Sequence, residues 1–227
     1  MPVFEGFADE DFAVFEVPGF AERMPQVRER IKPKLIAIGA ALTNSLSETM
    51  GEPLYAHVAQ HLRRTVNPPI ETWAAFAKEK RAYKPYVHLR VAVSMEKVRV
   101  MVFVEDYAEE KTRFARNLVR NADVLSRYLA HHPTVRAYDI CGEDGEPFAG
   151  SHLTPEVLRG FGEKMERIKG QHAAFGIQFD RDHPILLSGP EFLHAIEEAA
   201  HALRPLYACG SLENYTYHYT PEIVNIA

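Results

Sequence analysis

The sequence predicts an α+β fold, an antiparallel or mixed sheet with helices packed against it, on three observations. Two alternating apolar stretches between Tyr86 and Glu105 are joined by four residues, too few for the crossover of about a dozen that a parallel pair needs. Apolar stripes at steps of three and four flank that hairpin on both sides, the mark of amphipathic helices. With 227 residues, 46% of them hydrophobic, the chain can bury a sizeable core, and no composition shift marks a linker. We take residues 1–227 as a single α+β domain.

The elements follow in order. Asp9 to Phe15 suits a short helix that ends at a Pro18-Gly19 turn. Met24, Val27, Ile31, Leu35, Ile38 and Leu42 form one stripe of a helix over 24–46, with Pro33 imposing a kink or a restart. A shorter helix is expected from Tyr55 to Arg64, stopped by Asn67-Pro68-Pro69. In the hairpin, a two-residue turn at Met95-Glu96 pairs Val93 with Val98, Val91 with Val100 and Leu89 with Val102. That register collects the aliphatic residues on one face and sets His88 near Phe103 and Arg90 near Met101 on the other. The turn lacks glycine and asparagine, so a longer loop is the alternative.

Phe114, Leu118, Ala122, Leu125 and Leu129 predict a helix from about Glu109 to Ala130. Val135 to Ile140 reads as a strand, followed by a turn over 142–147. Thr154-Pro155 is a helix start, because threonine caps free amides and proline suits the first helical position; Gly170 is the expected stop. Ala173, Phe175, Ile177 and Phe179 alternate as a strand. Ser188 to Glu191 matches a capping box, with Leu187 placed to staple against Phe192, opening a helix to around Arg204. Tyr215 to Tyr219 is a further extended segment.

Twenty-six Lys and Arg against 31 Asp and Glu leave a formal net charge of -5, which argues against a wholly basic nucleic-acid coat protein. No secretory leader or apolar run of membrane-spanning length is evident, and Cys141 and Cys209 do not make a disulfide scaffold. The expectation is a cytoplasmic protein, not bound to membrane, with both cysteines reduced and buried. Dinucleotide, phosphate-loop and nucleophile-elbow motifs are missing, and no cofactor or oligomeric state is indicated.

The basic balance is local. Between His61 and Arg90 lie seven Lys and Arg against two glutamates, interspersed with Trp73, Phe76 and Tyr83. One reading is a solvated basic rim around core aromatics. The other is a ligand site of Arg63, Arg64, Asn67, Trp73, Lys80, Lys84, His88 and Arg90. There Arg63, Arg64 and Arg90 neutralise an anion, Asn67 orients it, His88 makes a hydrogen bond and Trp73 stacks. His57 and His61 would share a helical face, but without the glutamate of a zinc-protease motif they are read as structural, and no metal is assigned. The carboxylates Glu105, Asp106, Glu109 and Glu110 suit an acidic helix start.

Gly6-Phe7 with Asp11 to Phe15, the string Arg63 to Pro69 with Thr72 to Phe76, and Lys80 to Lys84 resemble the UPF0637 family, also called DUF1054 or YktB-like, over nearly the whole chain. The resemblance implies a bacterial cytoplasmic protein without an established activity. It also implies an antiparallel α+β fold grouped near the class II aminoacyl-tRNA synthetase and biotin ligase fold. The arginine and acidic motifs of those enzymes cannot be placed here, so no mechanism transfers. The leading expectation is a protein that binds a nucleotide, a nucleic acid phosphate or another small anion. The alternatives are an enzyme on a small phosphorylated or carboxylated substrate, with His88 or His57 as base, and a protein-interaction module.

Overall fold

The computed structural model describes residues 3–62, 65–142 and 145–220. Among them the strands are β1 (Tyr55–Val58), β2 (Glu71–Ala77), β3 (His88–Ser94), β4 (Lys97–Val104), β5 (Arg136–Cys141), β6 (Pro147–Ala149) and β7 (Ala173–Asp180). They form one sheet in the order β1-β2-β3-β4-β7-β5-β6, and each neighbouring pair is antiparallel. The helices are α1 (Asp9–Ala13), α2 (Phe20–Gln26), α3 (Lys32–Met50), α4 (Lys111–Arg120), α5 (Ala122–Ala130), α6 (Pro155–Arg167) and α7 (Gly189–Ser211).

The β3–β4 register is the one the alternation predicts: Val93 faces Val98, Val91 faces Val100, Leu89 faces Val102, and His88 faces Phe103. Met95 and Glu96 make the two-residue turn, without positive φ at either residue. The aliphatic face belongs to the main core, where α3 lies against β1 and β2 while α7 crosses β3, β4 and β7. The helices α4, α5 and α6 build outward from α7 and one another. The other sheet face has its own small cluster of Ala92, Met101 and Ala174, bordered by Trp73, Phe103 and Tyr138, and no helical residue belongs to it. Among the described residues one face is thus covered by helices and the other is not.

Several elements depart from the sequence expectation. The segment from Tyr55 is a strand instead of a helix. Gly51 at φ 78° ends α3, a conformation that suits glycine, and Tyr55 to Val58 then pair with Ala77 to Ala74. Pairing with a sheet edge outweighs the weak local preference of four residues. Residues 63 and 64 of that expected helix lie outside the described residues. The expected helix over 24–46 is α2 and α3 joined by a π turn at Val27–Ile31, in which the Lys32 amide donates to the Val27 carbonyl five residues back. The wider turn sits where Pro33 brings no donor and crowds the preceding carbonyls, and the whole predicted stripe stays buried.

The helix expected over 109–130 is broken at Asn121. Its side-chain amide donates to the carbonyls of Asn117 and Tyr215, and its oxygen accepts the Tyr217 amide, at 2.7 to 2.9 Å. The tail from Tyr215 is therefore tied to the helical layer and does not join the sheet. Thr154 caps α6 through the Val157 amide as expected, although that helix ends at Arg167, before Gly170. Ser188 caps α7, but Leu187 is 67% exposed and staples nothing, and α7 runs on through Pro205 to Ser211. Residues 143 and 144 of the predicted 142–147 turn lie outside the described residues.

One buried carboxylate positions the loop that leads into β3. Glu110 accepts the Val87 amide at 2.7 Å, the Lys78 ammonium, and the Arg113 guanidinium at 3.0 Å. Truncation would strand a buried amide and take the carboxylate from Lys78, while Arg113 keeps Glu213 and the Gly210 carbonyl. We expect Glu110→Ala to cost about 3 kcal/mol in urea unfolding, and Glu110→Gln, which keeps an acceptor for Val87, about 1 kcal/mol.

Candidate functional site

The period-two pattern places a cross-sheet row of His57, Ala75, Arg90, Met101, Gly176 and Arg136 on the uncovered face. Gly176 is required by the close approach of β4, since a Cβ there would lie 2.5 Å from the Met101 Cβ. Within the row Arg90 is 3% exposed. Its guanidinium lies 4.4 Å from the Trp73 ring centre and 3.7 Å from that of Phe103. Nη2 donates to Glu105 Oε1 and to His88 Nε2, each at 3.0 Å, while Nε has no hydrogen-bond partner among the described residues. Two aromatic faces and one carboxylate thus compensate a desolvated cation.

His88 is locked beside it. With Nε2 accepting from Arg90, Nδ1 carries the proton and donates to the Tyr86 carbonyl at 2.9 Å. Burial, reinforced by the Arg90 charge, holds its pKa well below the usual histidine value. A neutral, enclosed imidazole of this kind offers neither proton transfer nor a free nitrogen to a ligand.

The sequence-predicted residues are thus only partly gathered. Trp73, His88 and Arg90 come together; the Trp73 Nε1–H donates to the Tyr83 hydroxyl at 3.1 Å, and the Tyr83 ring edges onto His88. Lys84 is exposed, its charge opposing protonation of His88, and Lys80 is exposed with its ammonium 5.3 Å from the Tyr55 ring centre. Asn67 is exposed in the loop before β2. Arg63 and Arg64 lie outside the described residues. His57 and His61 do not share a helical face: His57 is on β1, with Nε2 bonded to the Glu79 carbonyl at 2.8 Å, and His61 follows the strand at φ 51°. Cys209 is buried, whereas Cys141 is exposed, because it closes the short, bulged pairing of β5 with β6.

A cavity of about 560 Å³ opens on the same sheet face, beyond Gly176, between the β3–β4 turn and the β5–β6 hairpin. None of the predicted site residues lines it. Its walls carry Arg99, Arg136, Tyr138, Ser94, Lys97 and Gln178. Arg99 pairs with Glu71 and lies 5.1 Å from the Tyr138 ring centre. Arg136 has no ion-pair or side-chain hydrogen-bond partner among the described residues, and the buried Tyr138 hydroxyl has none either. Burial pushes the Tyr138 phenol up to about 12, so it stays a protonated donor at neutral pH. Sequence reasoning missed this site because Arg136 and Tyr138, neighbours on one face of β5, meet Arg99 of β4 only through the sheet. The only local signal was an arginine on the polar side of each strand.

Beside Arg90, His172 stacks on Phe103 at 5.5 Å and bonds through Nε2 to Asp139 Oδ1 at 2.8 Å. That bond outweighs partial burial and raises the imidazole pKa. Among the described residues no group of three or more His, Cys, Asp or Glu is placed to hold a metal ion. No helix there is long and apolar enough to cross a membrane.

A helix-backed antiparallel sheet with a charged cavity on its open face defines an α+β protein with a candidate ligand-binding surface. Residues 7–207 match the family described as Domain of unknown function (DUF1054), and the chain belongs to that family. It is 30% identical to a UPF0637 protein of Shouchella clausii over 202 residues, 89% of this chain and 93% of the relative. A UPF0637 protein of Oceanobacillus iheyensis is 31% identical over 89% and 95% of the two chains. One of Macrococcus caseolyticus is 32% identical over 88% and 97%.

The two histidines should titrate in opposite directions. By NMR, His88 should remain neutral well below pH 6.5, and His172 should keep its proton above that value. Asp139→Asn should lower the His172 midpoint. Linkage gives the signs. His88 makes stability fall as pH drops below about 6.5, because only the unfolded chain then takes the proton. The His172 contribution is fully present below about 6.5 and is lost as pH rises through its raised folded value.

Proposed function

We propose that this chain is a cytoplasmic binding protein for a small anionic ligand, and that the anion is held at Arg136 in the cavity instead of at Arg90. The observation that carries the reading is a guanidinium beside a buried hydroxyl in one cavity, neither with a partner among the described residues. Arginine offers a planar fork to phosphate or carboxylate, and the Tyr138 hydroxyl adds a neutral donor. Arg90, by contrast, already has Glu105 and two aromatic faces, and an incoming anion would have to displace them.

Inorganic phosphate is the simplest probe. In amide and side-chain NMR titrations, shifts should centre on Arg136, Tyr138 and Gln178. Arg136→Ala should weaken binding at least ten-fold, about 1.4 kcal/mol, with little change in thermal stability. Replacement of the exposed Lys80 and Lys84 should leave binding intact; loss there, with Arg136→Ala unaffected, would reject this site.

A second reading, an enzyme acting on a small phosphorylated or carboxylated substrate, is favoured by the exposed His172 oriented by Asp139. It moves the acid-base role from His88 or His57 to His172. Turnover that survives His172→Gln would remove it.

A further inference from the structure

We infer that the cavity selects a ligand with one terminal phosphate on a hydroxylated body, as in sugar phosphates and nucleoside monophosphates, and turns away polyphosphates and RNA. This rests on the reading that the cavity is the anion site. The charges on its walls decide the selection. Among the described residues three basic side chains, Lys97, Arg99 and Arg136, are matched by three acidic ones, Glu71, Glu96 and Glu146. Arg99 is already committed to Glu71, so the uncommitted guanidinium is that of Arg136. A single fork serves one phosphate.

Away from Arg136 the cavity offers several acceptors, with the Lys97 ammonium as the other cation on that wall. Glu96 presents a carboxylate, which when ionised only accepts. Ser94 spends its hydroxyl proton on the Lys97 carbonyl at 3.1 Å, which leaves lone pairs toward the cavity. The Gln178 amide nitrogen gives one N–H to Asp180 at 2.8 Å, which leaves the carbonyl oxygen as an acceptor and one N–H as a donor. A ligand body that satisfies these groups must bring O–H or N–H donors. Further phosphates bring acceptors and negative charge, and they would face the carboxylates. A volume of about 560 Å³ suits a small molecule of this kind.

Isothermal titration of the full chain with ribose, ribose 5-phosphate, AMP, ATP and a ten-nucleotide single-stranded RNA at one salt concentration tests the inference. Ribose 5-phosphate or AMP should bind at least ten-fold tighter than ribose and ATP, with RNA showing no saturable binding, and the two monophosphates report which body is preferred. Arg136→Ala and, independently, Tyr138→Phe should weaken the monophosphate, while Glu96→Gln should raise ATP affinity. ATP or RNA binding as tight as AMP, and lost in Arg136→Ala, would overturn the single-phosphate selection while the anion site stands. Equal binding of ribose and ribose 5-phosphate, or phosphate binding indifferent to Arg136, would overturn both.

Discussion

The strict two-residue alternation of β3 and β4 is the constraint from which the rest of the molecule follows. A hairpin that sends Leu89, Val91, Val93, Val98, Val100, Val102 and Val104 to one side must send His88, Arg90, Arg99, Met101 and Phe103 to the other. Burial of the aliphatic side against α3 and α7 supplies the hydrophobic gain. The polar side then has to be stabilised without helices, and β2, β7 and β5 extend the same division outward.

Arg90 shows how that is done. A buried guanidinium in the middle of a sheet would be costly alone, yet its charge meets Glu105, its planar faces meet Trp73 and Phe103, and its donor fixes the tautomer of His88. This arrangement consumes the residues that look most like a binding site. The same sheet row carries a second arginine, Arg136, across Met101 and the side-chain-free Gly176, and that one has no ion-pair partner among the described residues. Two arginines of one row thus differ: one is enclosed by its partners, and the other has no ion-pair partner among the described residues.

The buried carboxylate Glu110 and the buried amide Asn121 work in the same way at the margins. Glu110 fastens the loop before β3 through Val87, Lys78 and Arg113, and Asn121 fastens the tail through Tyr215 and Tyr217. In both cases a polar side chain on a helical segment satisfies backbone groups that no sheet or helix serves, which lets irregular chain pack against the core.

Where one periodicity runs long enough, the sequence alone determined the structure: the hairpin register, the buried stripe through α2 and α3, the starts of α6 and α7, and β7. Each of those rests on local spacing or a local cap, which distant residues did not have to complete. The strand β1 was misread because four residues carry too little pattern, and β2 was hidden because its alanines lie on both faces of the sheet. The role of a charged residue was not legible either. Arg90 and Arg136 look alike in the chain, and only the tertiary structure decided that Glu105, Trp73 and Phe103 close around the first while nothing described closes around the second. Neutralisation depends on distances between strands remote in sequence, and no local pattern encodes those distances.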